Sequence, residues 1–276
     1  MAKSKGPIPE GFHTVTPYLV VPGVARLIDL LKQAFNAEET IRAARNDGSI
    51  SHAGVRIGDS MVEMGEACGE WKAMPAGLHL YVKNSDETYR RAIAAGAESL
   101  YEPQDMDYGD REGGVTDPSG NQWYIATHKT GGHFVPEGLR SVTPGMSVKD
   151  AAKFLEFLMK AFAAEIVFKK EAPGGAVGHA KVRIGDSMIE CSEAHGKRGP
   201  RPVALHLYVP DVDRTYKDAI AAGGESLSEV KDQFYGERNG NVVDAWGNHW
   251  YIATHTEDLT TEELMARGAS QGQSVQ

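Results

Sequence analysis

A chain of 276 residues, 41% of them hydrophobic and 24% charged, is near globular averages and long enough for two domains with a core each. Its formal charge of −9 argues against a nucleic-acid partner, which would need a basic face to displace counterions from phosphates. No run of 18 apolar residues occurs and no apolar stretch follows Lys3 and Lys5, so neither a membrane span nor a secretory leader is expected, and the default location is the cytoplasm. Cys68 and Cys191, the two cysteines, are read as free thiols in a reducing compartment.

Shifting the chain by 127 residues aligns it with itself without a gap, Pro9–His128 onto Pro136–His255. VRIGDSM, LHLYV, AIAAG and WYIATH each occur twice, and about half of the aligned positions are identical. The period is too long for a solenoid, so residues 9–128 and 136–255 are expected as two copies of one domain joined by KTGGH. Residues 256–276 are expected as a short helix, capped by Thr260 with Glu263 three residues on, and a disordered tail ending ASQGQSVQ.

Within the first copy, Val15–Val21 is a β-rich run, and Val24, Leu27, Ile28, Leu31 and Phe35 follow at helical spacing. Strands are predicted over 40–45, 50–57 and 60–66, with Gly58-Asp59 as the turn between the last two. The pattern then restarts with a strand over 77–82, a helix over 86–95 stopped by Gly96, and strands over 99–104, 113–116 and 122–127. Each copy is thus two βαβββ modules, and the chain holds four. DPSGN reads as a hairpin turn with Gly120 at positive φ, and Gly109–Gly120 is no phosphate loop, lacking GKS or GKT.

Residues two apart on a strand share a face. Leu19, Val21, Ala53, Val55, Val62, Leu78, Leu80, Trp123 and Ile125 fall on the side expected to meet the helices. The other side carries Thr16, Tyr18, His52, Arg56, Met61, Glu63, His79, Tyr81, Gln122 and Tyr124, matched in the second copy by Thr143, Gly145, His179, Arg183, Met188, Glu190, His206, Tyr208, His249 and Tyr251. Such a set is too polar for a dry core and too aromatic for a plain solvated surface, and it suits a curved sheet around a small-molecule cavity.

The module order, with TPYLVV, HAGVRIGDSMVEM, LHLYV and YGDREGGVTDPSGNQWYIATH, resembles the vicinal-oxygen-chelate superfamily of glyoxalases, bleomycin resistance proteins and extradiol dioxygenases, in its PhnB-like branch. The resemblance implies an α+β fold in which four βαβββ modules form two paired-module domains, with curved mixed sheets around small-molecule cavities. It says little of activity, since this fold hosts lyases, isomerases, dioxygenases and binding proteins. Its metal-ligand positions fall by strand register on Thr16, Glu63, Gly77 and Tyr124, and on Thr143, Glu190, Ala204 and Tyr251. Only the two glutamates suit a divalent cation, which needs three or four such ligands.

Two function classes follow. In the first, the chain binds a small organic molecule without the full metal quartet, with Thr16, Tyr18, His52, His79, Tyr81 and Tyr124, and Thr143, His179, His206, Tyr208 and Tyr251, as lining. In the second, Glu63 and Glu190 are catalytic, either as acid-base groups or holding a divalent metal with His52, His79, His179 and His206 in a lyase, isomerase or dioxygenase-type reaction. The same residues have plainer readings: histidines bonded across strands or to a tyrosine, Glu63 paired with Arg56 or a histidine, and Arg56 and Arg183 paired with Asp59 and Asp186. Arg111 and Arg238 either hold an anionic group over the pocket or pin their loop to Asp117 or Asp244. By analogy with the family, the fused copies would share pockets as an intrachain pseudo-dimer, Thr16, Tyr18, His52 and Glu63 meeting His206, Tyr208 and Tyr251. Thr143, His179 and Glu190 would then meet His79, Tyr81 and Tyr124. Alternatively each copy closes on itself.

Overall fold

In a computed structural model of the chain, the structure describes residues 2–69, 71–196, 199–270 and 274–275. After a two-residue strand β1 (Ala2–Lys3), the first copy runs β2 (Val15–Val21), α1 (Val24–Phe35), β3 (Glu38–Ala44), β4 (Ile50–Ile57), β5 (Ser60–Glu66), β6 (Gly77–Tyr81), α2 (Ser85–Ala94), β7 (Glu98–Asp105), β8 (Asp110–Thr116) and β9 (Gln122–His128). The second copy repeats this as β10 (Val142–Val148), α3 (Ala151–Phe162), β11 (Glu165–Glu171), β12 (Val177–Ile184), β13 (Ser187–Glu193), β14 (Ala204–Tyr208), α4 (Val212–Ala221), β15 (Glu225–Asp232), β16 (Glu237–Val243) and β17 (His249–His255). A short β18 (Glu257–Asp258), α5 (Thr261–Ser270) and β19 (Ser274–Val275) follow. The periodicities therefore placed each element of the two copies, with α1, β4 and β5 at their predicted bounds and β8 starting three residues earlier than read, but not the short strands β1, β18 and β19.

The chain is α+β, and its strands form two large mixed sheets, each completed across the copies. One runs β11-β12-β13-β10-β6-β9-β8-β7, and the other β15-β16-β17-β14-β2-β5-β4-β3, to which β19 adds at the edge. Within a module the first and last strands are parallel, while the junctions β2 with β14 and β6 with β10 are antiparallel. At the first junction Thr16 faces His206, and at the second Thr143 faces His79. Helices stay with their own copy. Helix α1 packs on β3–β5 of one sheet and α2 on β7–β9 of the other, and the two helices touch; α3 and α4 repeat the arrangement.

The apolar face reads as the alternation predicts. Leu19, Val55, Val62, Leu78, Leu80, Trp123 and Ile125 join the helix residues Leu27, Ile28, Leu31 and Phe35 in one continuous core that also takes in the second copy. Turns tie the copies together: Asp59 accepts the Ser141 backbone N–H at 2.8 Å, and Asp186 accepts that of Thr14 at 2.8 Å. Gly58 is confined to glycine by both backbone and contact, having φ 60° and placing any Cβ 2.2 Å from Ser141 Oγ. This corrects the expected pairing of Arg56 and Arg183 with these aspartates. The arginines bind Glu38 and Glu165 on the neighbouring strand instead, because the turn carboxylates are already taken by backbone donors.

The DPSGN turn has Gly120 at φ 92° and a buried Asp117, which accepts from Ser119 N at 2.9 Å, Asn121 N at 3.0 Å, Asn121 Nδ2 at 2.9 Å and Trp123 Nε1 at 2.9 Å. Four donors would be orphaned without it, so Asp117→Ala is expected to cost about 2–3 kcal/mol in urea denaturation, and a loss under about 0.5 kcal/mol would contradict this account. The helix α5 carries the expected reciprocal cap between Thr260 and Glu263. The expected disordered tail is corrected in part, since α5 extends to Ser270 and Ser274–Val275 pairs with Ala43 and Ala44 on β3; residues 271–273 and 276 lie outside the described residues. No described helix is long and apolar enough to cross a membrane.

Candidate functional site

On each sheet the face turned away from the helices gathers a cluster of histidine, glutamate and tyrosine from both copies. On the sheet joining the first and last modules, Glu63 from β5 lies 2.8 Å (Oε2) from His206 Nδ1 of β14 and 3.6 Å (Oε1) from His52 Nε2 of β4. The Tyr18 hydroxyl stands 3.4 Å from His52 Nδ1. Tyr208 stacks on His206, with centroids 4.3 Å apart, and donates to Glu237 Oε1 at 2.9 Å. The Tyr251 ring meets Tyr18 edge-on at 5.0 Å. We call this cluster the Glu63 site.

The Glu190 site, on the other sheet, is built from the equivalent strands. His79 Nδ1 lies 3.1 Å from Glu190 Oε2, and His79 Nε2 lies 2.8 Å from Glu112 Oε2, an ion-pair contact too bent to count as a hydrogen bond. Glu112 also accepts from Tyr101 at 2.5 Å and from Tyr108 at 3.0 Å. His179 Nε2 and Lys181 Nζ stand 3.6 and 3.8 Å from Glu190 Oε1. Tyr81 stacks on His79 at 4.5 Å and donates to Asp110, and Tyr124 lies edge-on to His79 at 6.5 Å. Thr16 and Thr143 are buried at the strand junctions beside these clusters.

The electrostatics are those of buried imidazolium–carboxylate pairs. Burial pulls the His79 imidazole down, but the carboxylates of Glu112 and Glu190 outweigh it and raise its pKa to about 10. His206 is likewise raised, burial being outweighed by Glu63 and Glu237. In turn, burial pushes Glu63, Glu112 and Glu190 up while their histidine partners bring each carboxyl below the usual range.

Sequence reasoning missed Glu112, Asp110 and Glu237, which hold the far side of each histidine and its tyrosine. A signal was there for Glu112: carrying the alternation two residues back from Gly114, which faces Tyr124, puts Glu112 on the same face. Trp71 was also missed. It sits in the β5–β6 loop with its ring 6.2 Å from Tyr251, and a loop has no periodicity to read.

Arg111 and Arg238 do not pin their strands to Asp117 or Asp244. Arg111 pairs with Asp86 at 2.5 Å and with Asp105, and Arg238 with Asp213 at 2.7 Å and with Asp232, in the first turns of α2 and α4 and on the neighbouring strands. Asp117 and Asp244 are consumed by Trp123 and Trp250. A small cleft at the seam of the copies is lined by residues including Thr16, Met61, Arg140 and Met188, and by none of the histidines and glutamates of the two clusters.

The fold's implied metal is a poor match to these residues. The four positions that the two copies bring together at the Glu63 site are Thr16, Glu63, Ala204 and Tyr251, and at the Glu190 site Gly77, Glu190, Thr143 and Tyr124, one carboxylate each. The histidines face the glutamates instead of a shared point, and among the described residues no group of three or more His, Cys, Asp or Glu side chains is arranged to hold a metal.

Paired βαβββ modules with polar-aromatic faces define a class of fold. The chain belongs to the glyoxalase/bleomycin resistance protein/dioxygenase superfamily, whose family model matches residues 11–125 and 133–252. An uncharacterized protein of Mycobacterium tuberculosis is 32% identical over 143 residues, spanning 48% of this chain and 84% of that protein, and one from Mycobacterium bovis matches at 32% over 143 residues with 94% of its length covered. Glyoxalase I from Zea mays shares the fold, with TM-score 0.66 and 15% identity over 87% of this chain and 92% of that one. A putative dioxygenase from Bacillus subtilis does so at TM-score 0.56 and 14% identity, over 92% of this chain and 86% of that one.

Proposed function

We propose that the chain is a PhnB-like member of the superfamily that binds a small organic molecule against the tyrosine-, histidine- and glutamate-lined faces of its sheets, without the full metal quartet. The observation that carries this reading is the donor set: each family metal position set offers a single carboxylate, and that carboxylate is already engaged by buried histidine. What remains available is aromatic surface, from Tyr18, Tyr124 and Tyr251, which suits contact with a flat or amphiphilic molecule.

A second reading is favoured by one observation, the presence of both His52 and His206 within 3.6 Å of Glu63. In that reading the glutamates, with nearby histidines, hold a divalent metal for a lyase, isomerase or dioxygenase-type reaction.

Thermal denaturation of untagged protein separates the two. Under the binding reading, Zn, Ni, Mn and Fe(II) leave the melting temperature unchanged, while members of a panel of planar aromatic compounds raise it, and the rise persists in Glu63→Gln/Glu190→Gln. A stoichiometric metal that stabilises the protein and is lost in that double variant would overturn the binding reading in favour of the enzyme.

A further inference from the structure

The two sites are built from equivalent strands, yet they differ at the positions that decide whether a ligand can be held. At the Glu190 site Gly145 stands where the Glu63 site has Tyr18, and Gln122 stands where it has His249. The Gln122 side chain is spent on accepting the Tyr124 hydroxyl at 3.0 Å. Glu112 closes the far side of His79 as an ion pair at 2.8 Å, close enough to answer the charge although His79 Nε2 makes no well-aligned hydrogen bond. The cluster is an ionic knot with carboxylates on both sides of His79, and of the aromatic residues around it Tyr108, 57% exposed, is tied to Glu112 by its hydroxyl while Phe168 lies at the rim beside His179.

At the Glu63 site the residue equivalent to Glu112 is Asn239, which turns instead to Tyr235 and Gln233. His206 Nε2 is left 3.7 Å from Glu237 Oε2, and both atoms are buried without a hydrogen-bond partner. The side chains carrying them are only 10% and 9% exposed. Next to His206 stands Tyr251, its ring centroid 6.5 Å away, and around Tyr251 gather Tyr18, edge-on at 5.0 Å, and the loop residue Trp71, tilted at 6.2 Å and itself 6.5 Å from His249. Trp71 is 46% exposed, so a large part of its indole is open to contact. His249 Nδ1 is a further buried atom without a partner, and burial lowers the pKa of this imidazole, so it is neutral and one ring nitrogen accepts.

We infer that the sites have divided their roles: the Glu63 site takes one flat, uncharged aromatic molecule bearing a hydroxyl or N–H donor, stacked against Trp71 and Tyr251, while the Glu190 site is a structural ion cluster. This rests on the binding reading given above and narrows it to one site and one ligand class. A neutral ring system matches the walls, because the charged groups beneath it already answer one another and would not repay the desolvation of an ionic ligand. Buried polar atoms without partners select a ligand that carries a matching polar group over one that lacks it.

The test is calorimetric titration of the full chain with 2-naphthol, and with 2-methoxynaphthalene, which keeps the ring and loses the donor. The expected result is one 2-naphthol per chain, weaker binding of the ether, and a loss of about tenfold in affinity in Trp71→Ala, the size of one lost aromatic contact. Trp71 is exposed, so this variant is expected to keep the fold, and circular dichroism checks it. In His249→Phe the preference for the hydroxyl over the ether shrinks, whereas Phe168→Ala, beside His179 at the Glu190 site, leaves the titration unchanged. Two equivalents per chain, or loss of one of them in Phe168→Ala, would overturn the division of roles and leave the binding reading standing. Unchanged affinity in Trp71→Ala, or no binding of 2-naphthol by a protein that the aromatic panel does stabilise, would overturn the inference alone. Failure of the whole panel would overturn both.

Discussion

Replacing His79 by leucine is expected to destabilise the chain by about 3 kcal/mol, the lower part of the range for a buried ion pair broken from one side. The imidazole stands between two carboxylates, Glu190 and Glu112, whose side chains are 12% and 6% exposed. Removing it leaves both charges buried. Part of the loss is made good by groups that stay: Tyr101 and Tyr108 still donate to Glu112, and His179 and Lys181 remain near Glu190. Adding Glu112→Gln and Glu190→Gln to His79→Leu should therefore recover much of the stability. Urea denaturation of the single and triple variants measures this, and a single variant within about 1 kcal/mol of the parent would show that the cluster is not ionic.

The same pair predicts the shape of stability against pH. His79 is raised to about 10 in the folded chain against about 6.5 when unfolded, so its contribution is complete below pH ~6.5 and is lost as the pH rises towards about 10. His206 is raised as well and adds to the same alkaline limb. Glu63, Glu112 and Glu190 are depressed, so their contribution is present above pH ~4.3 and is lost as the pH falls through their folded values. Stability should thus peak between these limits. In His79→Gln/His206→Gln the alkaline limb flattens, and an unaltered slope in that variant would assign the limb to other groups.

The second large effect concerns the join between the copies. Opening the chain at a protease site placed in Lys129–His133 should leave the halves together, eluting as one particle of the parent's size. The strands β2 and β6 are interior strands only because β14 and β10 pair with them, and the core is continuous across the copies. The first copy alone would carry these two strands as bare, apolar edges. It is expected to form a dimer in which β2 of one molecule takes β6 of the next, since LHLYV occurs in both copies and can fill the same register. Light scattering on the isolated first copy decides this: a stable monomer with the parent's circular dichroism would mean that each copy can close on itself.

How much of this was legible beforehand depends on range. Helix α1 was read to the residue because Val24, Leu27, Ile28, Leu31 and Phe35 must share one stripe, and β4 and β5 because strand alternation and the Gly58 turn are local. Repetition then gave the second copy from the first. The polar face was legible for the same reason, and it assembled Glu63 with His52 and Tyr18 on neighbouring strands of one module. Partners were another matter. Asp59 was read as the mate of Arg56, three residues away in sequence, but it binds Ser141, 82 residues away. Likewise Arg111 turned to Asp86, at the start of a helix, whereas the two equal expectations for it were an anionic group over the pocket and the loop aspartate Asp117.

By itself the sequence determined the strands and helices of the two copies and the face on which most of their side chains lie, since these follow from φ/ψ preferences and from periods of 2 and 3.6 residues. Tertiary structure alone decided which modules share a sheet, because the β2–β14 and β6–β10 ladders are made of backbone bonds that carry no residue signature. It also decided that Glu112 closes one histidine while Glu237 stops 3.7 Å short of the other, and that Trp71 reaches Tyr251 from a loop. Those are distances set by how two sheets and their loops dock. The contrast between the two sites lives there.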